Sequence, residues 1–259
     1  MRNVVDQRAV QAVIDAIWLF LGMDSGNPED WYRPPLSPGG MVEMYQHQAL
    51  WDNRQNPRIH EAFSELFGTP KLWVSLDRAN LKPPRHPDHP EYDHQGFIHW
   101  DVDTRKLASI PFGVQGVLYL TDTTEDMGGF QCVPGIHRNL EAWIKKQPRN
   151  RNPRVPDLTD LEVVPIPGKA GDLVIWDRLL PHGNGHNISN LPRLAQYITM
   201  FPAAEEDEAY RQRRIRMWKN RLPPRGKAFP GDPRRWERRF SETAQLTTVG
   251  RKLLGLDRW

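Results

Sequence analysis

The chain has 259 residues, of which 38% are hydrophobic and 26% charged, and its formal net charge is +3. This length and balance suit a globular chain with a sizeable core and exclude an intrinsically disordered one. The single cysteine excludes an intrachain disulfide and a Cys-based zinc site, which favours a reducing, cytoplasmic compartment. Because the first residues lack a signal-peptide layout and the longest apolar stretch is shorter than ~20 residues, we expect neither secretion nor membrane spanning.

The N-terminal part of the chain is predicted to be helical. Apolar residues recur at helical spacing from Val10 to Leu21, and Gly22 is expected to end this helix. A second helix is predicted over Pro57–Phe67, where Asn56 can cap the first turn and the glycine after Phe67 ends the last one. The Pro- and Gly-rich residues 26–40 between them indicate an irregular connection.

The character of the sequence changes at residue 71. Short runs rich in β-branched and aromatic residues alternate with Gly, Pro, Asn and Asp, a pattern typical of strands and turns. The irregular spacing and long loops favour a double-sheet jelly roll over parallel βαβ units, so the predicted fold class is mainly β with flanking helices. The predicted strands are 72–76, 96–101, 114–120, 130–133, 161–166, 172–176 and 194–201.

The positive charge is concentrated in one C-terminal segment of the chain. Twelve Lys or Arg and two acids lie between Arg211 and Arg239, so the remainder of the chain is mildly acidic. Residues 205–221 predict a polar, basic helix, and aromatic residues interleave with the Arg residues as in a nucleic-acid surface. We favour a solvated helix that packs its Trp on the core; steering of an anionic substrate is a third interpretation. One oxygenase domain is expected over 1–259, with a helical region 1–70, a β core 71–202 and a basic helical extension 203–259.

Residues 96–101 read Gly-Phe-Ile-His-Trp-Asp and carry the first indication of chemistry. In a strand, His99 and Asp101 would project to one side, and Trp100 would point to the other side as core. An imidazole nitrogen and a carboxylate oxygen at such positions can share one metal ion. A lone His-x-Asp tripeptide is common, however, and without further context an ordinary surface pair is the better interpretation.

The further context lies at residues 171–193. Gly171 and Asp172 open a buried strand, His182 follows in a Gly-rich turn, and Arg193 comes eleven residues after His182. Two His and one carboxylate on one face of iron, with three positions open, form the facial triad of non-haem Fe(II) oxygenases. The guanidinium of Arg193 is planar and permanently charged, which suits it to binding a carboxylate.

With these motifs, the sequence resembles the phytanoyl-CoA dioxygenase-like family of Fe(II)/2-oxoglutarate oxygenases. The resemblance covers about residues 71–202 and includes the Val-Pro-Gly-Ile-His-Arg block that begins at Val133. It implies a double-stranded β-helix core, a cupin-like jelly roll, with the N-terminal helices packed outside it. It also implies a dioxygenase that uses Fe(II) and O₂ and converts 2-oxoglutarate to succinate and CO₂.

The resemblance implies roles for individual residues. His99, Asp101 and His182 would bind iron, and Arg193 would pair with the far carboxylate of 2-oxoglutarate. The remaining candidates for contacts to this cosubstrate are Asn184, at a position where the family often has Ser, Gln115 and Asn80.

The type of reaction stays partly open. Because Asp101 is present where related halogenases have Ala or Gly, we expect hydroxylation of a small-molecule metabolite rather than halogenation. The same iron centre could instead catalyse desaturation, cyclisation or epimerisation in secondary metabolism. An alternative of another class is an inactive cupin-like binding protein that uses its basic C-terminal region. Thr199 stands where the nucleic-acid repair branch has a second Arg, which argues against nucleic acid as the substrate, and no oligomeric state follows from the sequence.

The loop histidines and His137 are not expected to bind iron. Loop 83–94 holds His86, His89 and His94 among prolines and acids, which is typical of a solvent-exposed loop, although a second metal site is an alternative interpretation. His137 is expected to lie in a turn and not to be a ligand. These residues are therefore not included among the predicted iron ligands.

Overall fold

The computed structural model describes residues 1–93 and 97–259, so His94 and the first residue of the predicted run 96–101 lie outside it. The α-helices are α1 Gln7–Leu21, α2 Gln48–Arg54, α3 Pro57–Phe67, α4 Leu140–Lys145, α5 Glu208–Lys219, α6 Trp236–Phe240 and α7 Thr248–Leu254. The strands are β1 Met41–Val42, β2 Leu72–Val74, β3 Ala79–Lys82, β4 Val114–Tyr119, β5 Phe130–Cys132, β6 Val164–Pro165, β7 Leu173–Asp177, β8 His182–Asn184, β9 Arg193–Tyr197 and β10 Met200–Pro202.

Two antiparallel sheets pack against each other to form the core. The larger has the order β1-β3-β9-β4-β7 and the smaller has the order β6-β5-β8, while β10 and β2 form a separate pair. Inward side chains of both sheets meet in one apolar cluster, to which the larger sheet gives Val117 and Ala195 and the smaller gives Phe130 and Cys132. This arrangement confirms the predicted fold class, a mainly β double-stranded β-helix with flanking helices.

The other face of the larger sheet is covered by the N-terminal helices. Because successive side chains of a strand alternate between its two faces, Leu118 and Leu194 point away from the smaller sheet. They join the main hydrophobic cluster together with Ile17 of α1 and Phe63 of α3. The strands of this sheet are therefore buried on both faces, which leaves its edge and the inter-sheet space for a site.

The helix predictions hold for α1 and α3. Gly22 ends α1 in the left-handed conformation, and the Asn56 side chain accepts the main-chain N–H of Arg58 at the start of α3. The sequence patterns did not predict helix α2 or strands β1, β3 and β8. The predicted strand 194–201 consists of two strands, β9 and β10. No helix in the described ranges combines the length and the apolar content needed to cross a membrane.

The basic C-terminal region packs on the core through buried polar contacts. Arg214 of α5 is fully buried and donates to the carbonyls of Val74, Leu253 and Leu254 at 2.6–3.0 Å. The last two are carbonyls at the end of α7, which have no partner within the helix. The guanidinium also lies over the ring of Trp73, and burial lowers its pKa. This member of the basic segment is therefore structural.

We expect Arg214→Ala to lower the free energy of unfolding by about 3–5 kcal/mol, because three buried carbonyls lose their donor. Chemical denaturation followed by Trp fluorescence measures the change. Arg216→Ala, on the exposed side of the same helix, is the matched control and should leave the midpoint unchanged. Equal midpoints for the two variants would contradict this structural role of Arg214.

Candidate metal centre

A cavity of about 490 Å³ lies between the two sheets. Strands β4, β7, β8 and β9 contribute to its wall, and so does the segment that contains the predicted ligands His99 and Asp101. The predicted residues His182 and Arg193 also line it. The interior of the jelly roll thus brings together side chains that are far apart in the sequence.

His99, Asp101 and His182 form a compact group of metal-binding side chains. Their ligand atoms all lie within 4.8 Å of one another, and within the described ranges no other trio of His, Cys, Asp or Glu is arranged in this way. Asp101 Oδ1 is 3.3 Å from His99 Nε2, and Asp101 Oδ2 is 3.7 Å from His182 Nε2. Two imidazole nitrogens and one carboxylate fit the donor set of a non-haem iron site.

A backbone bridge holds the two histidines side by side. His99 and His182 exchange both main-chain hydrogen bonds, at 2.9 and 3.0 Å, and directly opposed residues of such a pair project to the same face. The predicted strand 96–101 is wrong in its extent, because this isolated bridge is its only β pairing in the described part. The orientation of the side chains agrees with the prediction. Trp100 is buried on the side opposite to His99, and its Nε1 donates a hydrogen bond to Leu179 O at 2.8 Å.

Each histidine is oriented by the carbonyl two residues before it. His99 Nδ1 lies 3.1 Å from Phe97 O, and His182 Nδ1 lies 2.9 Å from Leu180 O. Because a carbonyl oxygen can only accept, each Nδ1 is the protonated nitrogen, and each Nε2 keeps its lone pair for the site. Both imidazoles are therefore in the tautomer that binds a metal through Nε2.

The electrostatics of the group favour an ionised carboxylate. The contact with His99 lowers the pKa of Asp101 strongly, and a hydrogen bond from Gln115 Nε2 to Oδ2 at 2.5 Å adds to this effect. Burial lowers the pKa of His182. Burial also disfavours the charged form of His99, but its contacts with Asp101 and the Phe97 carbonyl outweigh burial and raise its pKa. A bound cation would take the place of the second proton, which the charged form of His99 carries on Nε2 beside Asp101.

Arg193 makes one end of the cavity positive. It is almost completely buried, its Nη2 donates to Gly128 O at 3.0 Å, and its Nε has no partner. Within the described ranges no carboxylate lies at ion-pair distance from it, and burial lowers its pKa. Lys82 stands directly opposite on β3, where burial and Arg193 lower its pKa to about 8. An anionic group bound here would supply the charge partner that Arg193 lacks.

The remaining predicted residues divide into two groups. Gln115 and Asn184 line the cavity; Gln115 donates to Asp101, and Asn184 hydrogen-bonds the side chain of Tyr197. Asn80 lies outside the cavity wall, where its Nδ2 is 3.7 Å from the sulfur of Met41, which lines the cavity in its place. Six of the seven predicted residues therefore share one cavity.

Other wall residues escaped the sequence analysis. Trp176 and Phe130 pack on the ring of His182, with ring centroids 5.0 and 5.9 Å away. Tyr197 hydrogen-bonds Arg193, and its position four residues after Arg193 on a strand was a usable signal because the two must share a face. Phe229 had no signal, since it reaches the cavity from an irregular part of the basic segment. Asp77 and Arg78 also line the wall.

The described histidines of loop 83–94, His86 and His89, lie outside the trio of candidate metal ligands. His86 and His89 pack against Tyr32, with His89 stacked on its ring at a centroid distance of 5.0 Å. His137 lies in a 3₁₀ turn, as expected. Neither His86, His89 nor His137 belongs to the trio described above, and His94 lies outside the described residues.

Comparisons with known proteins agree with this geometry. Residues 25–195 match the model of the phytanoyl-CoA dioxygenase (PhyH) family. The chain is 27% identical over 227 residues to a Dictyostelium discoideum protein named phytanoyl-CoA dioxygenase, covering 74% of this chain and 63% of that protein. It is 29% identical over 154 residues to the ectoine dioxygenase of Bordetella bronchiseptica, covering 54% of this chain and 49% of the enzyme. The chain thus spans about half to two thirds of the length of these relatives.

Solved structures show a related fold. The epimerase SnoN, crystallised with Fe³⁺, alpha-ketoglutarate and nogalamycin RO, aligns with a TM-score of 0.53 at 19% sequence identity. The alignment covers 78% of this chain and 77% of that one. At this identity, the likeness concerns the fold.

We expect Gly183→Ala to weaken metal binding about 10-fold or more, because a Cβ at this position would come within 2.5 Å of Phe97 O. This contact would force apart the two segments that carry His99 and His182. Anaerobic titration with Fe(II), or with Co(II) as a coloured substitute, measures the affinity. Gly185→Ala is the control because its Cβ would meet the end of the Gln131 side chain at 3.2 Å and no backbone atom closer than Gly128 Cα at 3.5 Å. Equal metal affinities of the two variants would contradict the role of the close approach between Gly183 and Phe97.

Proposed function

Because the chain belongs to the phytanoyl-CoA dioxygenase family, we propose that it is an Fe(II)- and 2-oxoglutarate-dependent dioxygenase that hydroxylates a small-molecule metabolite. The observation that carries this proposal is that two groups of side chains line one cavity. The first group is His99, Asp101 and His182, and the second is the buried guanidinium of Arg193 with its unpartnered Nε.

The proposed metal ligands are the Nε2 atoms of His99 and His182 and the carboxylate of Asp101. When bound, iron and 2-oxoglutarate supply the oxidising chemistry, in which O₂ is consumed and 2-oxoglutarate becomes succinate and CO₂. Imidazole suits Fe(II), and the single carboxylate reduces the net charge of the site while leaving room for a chelating cosubstrate. Gln115 serves as a positioning residue, because its hydrogen bond holds one oxygen of Asp101 and restricts rotation of the carboxylate.

Arg193 is the proposed partner of the far carboxylate of 2-oxoglutarate. A buried guanidinium without an acidic partner gains a strong charge-assisted interaction when a carboxylate binds. Tyr197 and Asn184, which hydrogen-bond each other, lie beside it and limit where that carboxylate can lie. The rings of Trp176 and Phe130 around His182 exclude water from the reacting centre.

Epimerisation is the second candidate reaction. It would use the same cavity residues, and the fold accommodates this reaction in the epimerase SnoN. The two reactions differ in whether an oxygen atom enters the product, so product mass separates them once a substrate is known. An inactive binding protein is disfavoured by the complete His99, Asp101 and His182 group together with Arg193.

The purified protein should form succinate from 2-oxoglutarate when Fe(II), ascorbate and O₂ are supplied, slowly even without a substrate. His99→Ala, Asp101→Ala and His182→Ala should each reduce this rate by more than about 100-fold, since each removes a metal ligand. Succinate is measured by chromatography and mass spectrometry. His60→Ala, on the surface of α3, is the control. Unchanged turnover in all three ligand variants would refute the metal assignment.

Arg193→Lys should raise the KM for 2-oxoglutarate about 10- to 100-fold with a smaller effect on kcat, because a point charge replaces a bidentate fork. Initial rates of succinate formation over a range of 2-oxoglutarate concentrations give both constants. Arg216→Ala, at an exposed position of α5, is the control and should leave the KM for 2-oxoglutarate unchanged. A normal KM in Arg193→Lys would mean that the cosubstrate binds elsewhere.

A further inference from the structure

Asp77 is a charged residue of the cavity wall that the proposed chemistry does not use. It lies between β2 and β3, and one carboxylate oxygen accepts the main-chain N–H of Arg78 at 2.8 Å. Within the described ranges, no Lys, Arg or His side chain lies at ion-pair distance from this carboxylate. Burial raises its pKa, although the main-chain N–H of Arg78 and the charges of Arg78 and Arg54 oppose this increase by stabilising the ionised form.

The cations nearest to Asp77 are already engaged. Arg78 donates from Nη1 to Glu43 Oε1 at 3.0 Å and to Tyr45 Oη at 2.9 Å, and both Arg78 and Glu43 are largely buried. Arg54 donates to the main-chain carbonyls of Tyr45 and Asp77. Glu43 balances the charge of Arg78, whereas Arg54 stabilises the Asp77 carboxylate electrostatically without an ion-pair contact to it.

Asp77 lines the same cavity as the candidate metal ligands. A second cavity of about 490 Å³ adjoins the first, and Asp77 and Phe229 line both of them. Asp77 therefore stands at the junction of the two spaces, with an aromatic ring beside it. A ligand that enters the first cavity and extends past the metal ligands meets this carboxylate.

We propose that Asp77 selects the substrate of this site and that the substrate carries a protonated amine, which pairs with the Asp77 carboxylate. The inference rests on the proposed function, since the amine would hold the rest of the molecule near the metal ligands. Arg193 makes the cosubstrate end of the cavity positive, whereas Asp77 places a carboxylate in the wall beside Arg78, whose charge Glu43 balances. Arg213, Arg214 and Arg225 line the second cavity beyond it. A buried, unpaired carboxylate is stabilised by a cation that donates hydrogen bonds to it, and it repels an anion.

The competing substrate class is a carboxylate held by Arg78. Arg78 has an unpartnered Nε, as Arg193 does, but Glu43 already balances its charge, so an incoming anion would share the guanidinium with that carboxylate. It would also lie close to the negative charge of Asp77. The experiment below includes this class as an outcome.

Three isosteric probes separate the alternatives: 4-fluorobenzylammonium, 4-fluorobenzyl alcohol and 4-fluorobenzoate. Each is titrated into the full chain under anaerobic conditions and followed by ¹⁹F NMR, with and without Fe(II) and 2-oxoglutarate. An absorption band that needs both Fe(II) and 2-oxoglutarate tests the proposed function separately. Absence of the band would count against that function, and the ranking of the probes on the metal-free chain would still test Asp77.

The ammonium probe should bind about 10-fold more tightly than the alcohol, as expected for one charged hydrogen bond in a partly buried site. Asp77→Asn should abolish this difference without weakening the alcohol, and Asp77→Ser is a second neutral variant if the first does not fold. Asp88→Asn, at an exposed position outside both cavities, is the control and should retain the preference. Equal binding of ammonium and alcohol, tightest binding of benzoate, or a preference that survives in both Asp77 variants would overturn the proposal.

Discussion

The site depends on one short backbone contact, the pair of hydrogen bonds between His99 and His182. It joins two segments that come from different parts of the chain and fixes both imidazoles on the same face. Gly183 permits the contact because any side chain there would meet Phe97 O. The carbonyls that orient the rings belong to the same two segments, so the geometry of the ligands is a property of the main chain. The same contact also places Asp101 at the site, because Asp101 lies two residues after His99 in the chain.

The cavity is polarised along its length. Arg193 and Lys82 lie together on the inner face of the larger sheet, the three metal-binding side chains occupy the middle, and Asp77 lies at the far side. Burial strengthens the interactions of these charges with a bound ion, because little water remains to screen them. A molecule with a negative and a positive end therefore has one preferred direction in the cavity. The walls between the charges are aromatic and contribute shape more than charge.

The four residues with the clearest spacing, His99, Asp101, His182 and Arg193, could be predicted because each lies in a recognisable local motif. Gln115 was predicted to be near the cosubstrate, whereas the structure pairs it with Asp101, a contact between segments that no local pattern contains. Strand β3 was missed because it carries Asn and Lys although both of its faces are buried, and β-propensity does not anticipate this. Asp77 and Phe229 likewise reach the cavity only through tertiary packing.

Phe229 contributes to the cavity wall from a segment that comes late in the sequence. All three metal-binding side chains precede residue 203, whereas this part of the cavity wall comes from the basic segment that follows the β core. Gly231 N donates to Glu43 at 3.1 Å, which ties the segment to the partner of Arg78. During synthesis from the N-terminus, the β core can therefore assemble its ligand group before its last wall exists. The segment that supplies Phe229 is therefore synthesised after every residue of the candidate ligand group.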